Sequence, residues 1–245
     1  MSLQPLDIVN GVFGTLVVVI SIVVGIVITS KYFKTKNNNF LYVGLTWILL
    51  ASGWYGTTAS FFVALITGSD GLSFQMILLL NFIPLPFGLF CWLLAFTNFL
   101  YKEKKKYFLI IYGIISIFYY ITFLYVVFTD PSIIGYKISP VDTSGNFSFL
   151  LLYIVFFVLV LLITGIKFAI ETIKLDDPEM KLKGKLLLVA FPSFVIGALL
   201  DAIFPTTAIT LVIFRLILIS SAVEFYLAFI MPDWMKKRLK SVNNN

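Results

Sequence analysis

Residues 8–30 read IVNGVFGTLVVVISIVVGIVITS, and KYFKTK follows at 31–36. The first stretch holds no ionisable side chain, and Lys31, Lys34 and Lys36 come directly after it. A helix that crosses a bilayer needs roughly 20 predominantly apolar residues, so this segment is long enough to span. Lysines are retained on the cytoplasmic side of a membrane, so the chain is expected to enter from outside and leave inside. Asp7 precedes the run, no basic leader is present, and the run is too long for a signal-peptide core. The segment is therefore expected to stay in the mature protein.

The same alternation of apolar run and charged gap recurs at about residues 8–30, 40–67, 73–100, 107–128, 148–172, 186–204 and 207–231. Lys102, Lys104, Lys105 and Lys106 fill the third gap. Lys167, Lys174, Lys181, Lys183 and Lys185 flank the fifth, and Lys236, Lys237, Arg238 and Lys240 follow the last run. Of the remaining basic residues, Lys137 falls in an outer gap and Arg215 within a span. Asp7, Asp70, Asp130, Asp142 and Asp201 lie at the outer ends. The expected fold is all-α: a polytopic bundle of seven transmembrane helices, N-terminus outside and C-terminus cytoplasmic, in the plasma membrane. Residues 1–245 form one integral membrane domain with a short basic tail at 232–245.

Composition agrees: 60% of the 245 residues are hydrophobic and 12% charged, against about a quarter charged in soluble domains. The net charge of +6 reads as juxtamembrane anchoring to anionic lipid, and no nucleic-acid partner is expected. There is no histidine, and Cys91 is the sole cysteine. Zinc hydrolases, histidine proton relays and an internal disulfide are therefore excluded, and neither metal nor cofactor is expected.

Among the links, residues 129–147 carry Asp130-Pro131, Ser139-Pro140 and Ser144-Gly145, which predict a small extracellular cap. Asn146-Phe147-Ser148 has the form of a glycosylation acceptor. Asp177 followed by Pro178 predicts a helix N-cap and first position, so the sixth helix should begin well before Leu186.

Polar groups inside the spans are costly and mark function or helix contact. Arg215 lies roughly 12 Å below the outer end of the seventh span, and Glu224 lies near its inner end. Nine residues at 100° each set them on opposite faces, so each is expected to find a partner on another helix, with the seventh helix enclosed. Asp201, at the outer end of the sixth span, is the expected counter-ion of Arg215. Asn81, Thr57, Thr58, Tyr119, Tyr120 and Tyr153 lie at a similar depth. Arg215, Asp201, Asn81, Thr57 and Tyr153 are accordingly the candidate lining of an outward-facing pocket for a small anionic or polar ligand. Glu224 with Ser221 is the candidate proton or cation site, on a face of small and polar residues. Pro84 and Pro86 in the third span and Pro192 in the sixth are candidate hinges. Ser52, Gly56 and Ser60 recur every four residues and predict close approach of another helix. The aromatic residues are expected mainly in lipid contact and at the interfaces.

Trp92-Leu93-Leu94-Ala95-Phe96, ahead of a lysine run, and Glu224-Phe225-Tyr226-Leu227-Ala228-Phe229-Ile230-Met231-Pro232-Asp233-Trp234 resemble segments of a group of uncharacterised archaeal seven-helix membrane proteins. More distantly they resemble the seven-helix N-terminal sensor region of membrane histidine kinases. The seventh span has no lysine for a retinal Schiff base, and receptor-type Asp-Arg-Tyr and Asn-Pro-x-x-Tyr patterns are missing. The resemblance implies a ligand- or membrane-sensing module that signals through a separate cytoplasmic partner, since no phosphotransfer or ATP-binding domain follows. A small-solute or ion transporter using Glu224 is the alternative, and a membrane scaffold the default. No nucleophile, base and metal constellation points to an enzyme.

Overall fold

The computed structural model describes residues 3–204 and 207–243, with side chains through Leu239. Pro205 and Thr206, within the expected turn between the sixth and seventh spans, and the last two tail residues lie outside it. Helix α1 (Pro5–Thr35) is the first span. Helices α2 (Asn38–Leu50) and α3 (Tyr55–Thr67) form the second, joined by a 3₁₀ turn over Ala51–Trp54. Helices α4 (Phe74–Phe82) and α5 (Pro84–Leu100) form the third. The last four spans are α6 (Lys105–Thr129), α7 (Phe149–Ile173), α8 (Pro178–Ile203) and α9 (Ala208–Ile230), and α10 (Asp233–Asn243) follows. Seven helical stretches among the described residues are long and apolar enough to cross a membrane.

Local chemistry sets the boundaries. The Asp7 carboxylate accepts from the Gln4 N–H at 2.9 Å, and Pro5 occupies the first turn, where its missing N–H costs nothing. Asp177 caps α8, accepting from the Glu179 N–H at 2.9 Å, so α8 starts two turns before the apolar run. The outer link between α6 and α7 departs from pure helix. There β1 (Gly135–Ser139) and β2 (Asp142–Gly145) pair antiparallel around Pro140. This hairpin is pinned to two helices: Ser60 of α3 donates to the Pro140 carbonyl, and Asn10 of α1 donates to the Val141 carbonyl at 3.3 Å. Lys137 donates to the carbonyls of Asp70 and Leu72. Burial holds the Lys137 ammonium below its ordinary pKa, opposed by the charge of Asp70.

At the opposite end the basic links converge. The Lys31 ammonium donates to the carbonyls of Phe229 and Ile230, each at 2.9 Å, supplying donors that the last turn of α9 lacks. Lys183 and Lys236 stand near enough to Lys31 to repel its charge. Asn98 bridges Asn39 and Lys105, both at 2.9 Å. One end of the bundle is therefore the lysine end and the other the hairpin end, as the charge alternation requires.

Two expectations need correction. The seventh span is not central: α9 lies between α1 and α8, and Ile209, Ile213, Leu216 and Val223 are exposed along its outer face. The second and third spans are the most buried. One inward-pointing arginine requires only one enclosed face, and the opposite face can meet lipid. The aromatic residues also divide differently. Phe118, Phe128 and Tyr125 face outward, but Trp92, Phe123, Phe157 and Phe191 are fully buried. Trp92 packs on Phe191 at 4.8 Å, Phe191 on Phe225 at 4.8 Å, and Phe225 on Trp47 at 4.2 Å. Gly165 leaves the space that the Phe191 ring enters.

Candidate functional site

Arg215 is 5% exposed and points between α1, the second span and α8. Its Nε donates to Asp201 Oδ1 at 3.0 Å, which makes the ion pair across α8 and α9 that the depth of the two residues predicts. Its Nη2 donates to Asn10 Oδ1 at 3.2 Å, and its guanidinium lies 5.6 Å over the Trp54 ring, within cation–π range. Asp201 Oδ2 accepts from Trp54 Nε1 at 2.7 Å. Four spans thus converge on one neutral pair of charges.

The cluster is not closed. Arg215 Nη1 and Thr58 Oγ1 are both buried without a hydrogen-bond partner among the described residues. Both face Gly14: a Cβ built there would stand 3.0 Å from Nη1 and 3.3 Å from Oγ1. A buried unpaired donor costs about 1–3 kcal/mol, more when charged. A donor and a hydroxyl left open side by side therefore mark a place where a third oxygen could bridge them.

Asn81, Thr57 and Tyr153 are not in this cluster. Thr57 donates to the Trp54 carbonyl at 3.1 Å. Asn81 Oδ1 accepts the Gly56 N–H at 2.6 Å, and its carbonyl accepts from Ser52 at 2.9 Å. The polar residues at similar depth therefore form two groups. Depth along an axis says nothing about direction around it: Asn81 and Tyr153 serve the region of the third-span break, and Thr57 bonds its own turn.

Tyrosine hydroxyls gather at that break. Ile83 keeps right-handed helical dihedrals, so the chain does not unwind at Pro84 and Pro86; it loses N–H donors instead. Tyr119 donates to the Phe82 carbonyl at 3.2 Å, Tyr120 to the Ile83 carbonyl at 2.6 Å, and Tyr112 to the Pro86 carbonyl at 3.0 Å. Tyr153 sits 3.1 Å from the Tyr112 hydroxyl and stacks on Tyr119 at 3.9 Å. The Phe82 carbonyl is the one that Pro86 leaves without its helical donor, and Tyr119 supplies one; the other two tyrosines add bonds on either side of the prolines. Pro192 lies within α8, which continues across it.

Through the short backbone stretches 52–56 and 81–86, the two groups join into one polar network. It runs from Asn10 in the first span and Arg215 in the seventh through Asp201, Trp54 and Asn81 to the tyrosines of the fourth and fifth. The residues that sequence reasoning missed are Asn10, Gly14 and Trp54. Asn10 and Gly14, one turn apart in an otherwise apolar run, were a usable signal; Trp54 carried none.

Glu224 and Ser221 are not brought together. Glu224 Oε1 accepts from Ser220 on its own helix at 3.3 Å, and Ser221 donates to the Leu218 carbonyl at 2.7 Å. Glu224 Oε2 is buried and unpaired among the described residues, with Ser193 of α8 nearby. The carboxylate thus bonds Ser220 of its own turn and faces the Ser193 hydroxyl of α8, a polar group on another helix. Asn146 is exposed, its amide donating to the Ser132 carbonyl at 2.8 Å. Ser148 of the same triplet is buried at the start of α7.

No protein-family model matches the chain, and comparison with functionally described proteins finds no significant match.

Proposed function

We propose that this protein is a seven-helix membrane sensor or receptor-like module, with the hairpin end outside and the lysine end in the cytoplasm. In this reading a small oxygen-bearing ligand binds at the Arg215 cluster, bridging Nη1 and Thr58. The observation that carries the proposal is that open pair of buried polar atoms over Gly14. Because Asp201 already balances the guanidinium, the site suits one carboxylate or carbonyl oxygen better than a multiply charged anion. Trp54 ends the 3₁₀ turn of the second span, and Gly56, two residues on, is held by Asn81 beside the proline break. Occupancy that shifts Arg215 or Asp201 therefore acts on both discontinuous spans, whose lysine ends would present the change to a separate cytoplasmic partner. The likeness of residues 92–96 and 224–234 to archaeal seven-helix proteins and to kinase sensor regions supports the same reading.

A thermal-shift panel of small monocarboxylates, with inorganic phosphate as comparison, tests it. The expected result is a rise in melting temperature with at least one carboxylate, lost in Gly14→Ala, whose methyl would press on both open atoms without removing either charge. No shift with any compound, or a shift unchanged in Gly14→Ala, rejects the site.

The transporter reading rests on the buried, unpaired Oε2 of Glu224 beside Ser193. It expects proton- or cation-coupled flux in proteoliposomes that Glu224→Gln abolishes; wild-type vesicles without flux would end it.

A further inference from the structure

We propose that the cleft between the lysine-end halves of the fourth and fifth spans binds one anionic phospholipid. Helices α6 and α7 touch at Tyr153, through its stack on Tyr119 and its hydrogen bond to Tyr112. Toward the lysine end they enclose a groove of about 530 Å³. One wall is Tyr107, Phe108 and Ile111, the other Phe156, Val160 and Ile163, and Leu93 of the third span lies at the bottom. The lining is almost wholly apolar. The hydroxyl of Thr164, also in the lining, is engaged by Trp92 Nε1 at 2.7 Å and by the Val160 carbonyl. Such a surface offers nothing to a polar solute and suits an acyl chain.

The mouth specifies the head group. Lys104 borders the groove, and its ammonium has no hydrogen-bond or ion-pair partner among the described residues. Across the cleft, Lys167 is already paired with Glu171 at 2.7 Å; on the Lys104 side, Lys105 is held by Asn98. Lys102 and Lys106 add charge beside Lys104, against Glu103 alone in that run. A basic residue at the membrane surface, above an apolar slot between helices, is complementary to a phosphodiester carrying acyl chains. The seat is independent of the Arg215 cluster, which lies toward the other end of the bundle.

The full chain, delipidated in detergent, would be titrated with phosphatidylglycerol or phosphatidylcholine and the first bound lipid read by native mass spectrometry. Phosphatidylglycerol is expected to bind about five-fold more tightly. Lys104→Gln should erase that preference while keeping phosphatidylcholine binding, whereas Lys34→Gln, on another link, should leave both unchanged. Ile163→Trp and Ile111→Trp, which fill the groove from opposite walls, should each weaken both lipids. Equal binding of the two lipids to the wild type, or equal effects of Lys104→Gln and Lys34→Gln, would overturn the proposal. So would undiminished binding in both groove-filling variants.

Discussion

Replacing Arg215 by methionine is expected to cost about 3–5 kcal/mol of stability, roughly 10 °C in melting temperature for a chain of this size. Methionine keeps most of the volume and none of the donors. Asp201 would retain its bond from Trp54 Nε1 but stand in the bundle as a carboxylate whose counter-charge is gone. Asn10 would lose its bond from Nη2. Most of the loss is the penalty of an orphaned charge rather than the worth of the pair, which the second charge can reveal. Arg215→Met combined with Asp201→Leu should recover at least half of it, since a buried ion pair is often replaceable by apolar side chains. Unfolding by SDS titration in bicelles, run as a double-mutant cycle, measures both quantities. A single-variant loss below about 1 kcal/mol would mean that the pair behaves like an exposed one.

Gly56→Ala is expected to be nearly as damaging, at about 3 kcal/mol or more, because two costs coincide. A Cβ at Gly56 would overlap the Ile77 carbonyl and stand 2.7 Å from Ile77 Cα and 2.9 Å from Asn81 Oδ1. Backbone cannot rotate away as a side-chain tip can, so the spans must separate, and overpacking alone costs about 1–3 kcal/mol. Separation also breaks the bond from the Gly56 N–H to Asn81, leaving buried polar groups unpaired for about 1–3 kcal/mol more. Gly53→Ala is the matched control. Nothing lies within 4 Å of the methyl it would add, so removing a flexible glycine should leave stability unchanged or raise it by about 0.5–1 kcal/mol. Equal melting temperatures for the two variants would refute the close contact.

Much of the architecture was legible in the order of residues. The apolar runs, the lysines in alternate gaps, the Asp177-Pro178 helix start and the close helix approach at Ser52 and Gly56 reappear as spans, ends and contacts, while Ser60 meets the hairpin instead. So does the pairing of Arg215 with Asp201, because the two sit at matching depths across one short link. These features depend on quantities that run along the chain: length, hydropathy and helical rise.

Direction around each helix axis was less legible. Asn81 and Tyr153 share a depth with Arg215 yet serve the Pro84–Pro86 break, since a proline removes donors and nearby side chains turn to pair what remains. Trp54 reaches Asp201 because a 3₁₀ turn, with no proline to announce it, interrupts the second span. Glu224 takes a hydrogen bond from Ser220, one turn away, and faces Ser193 of α8. Residue order alone set seven helices long and apolar enough to cross a membrane, with the basic links gathered at one end, because hydrocarbon admits only long apolar helices. Packing in three dimensions made the second and third spans the most buried and left Arg215 and Thr58 open over Gly14. Those outcomes depend on how the helices rotate to satisfy every buried polar group at once.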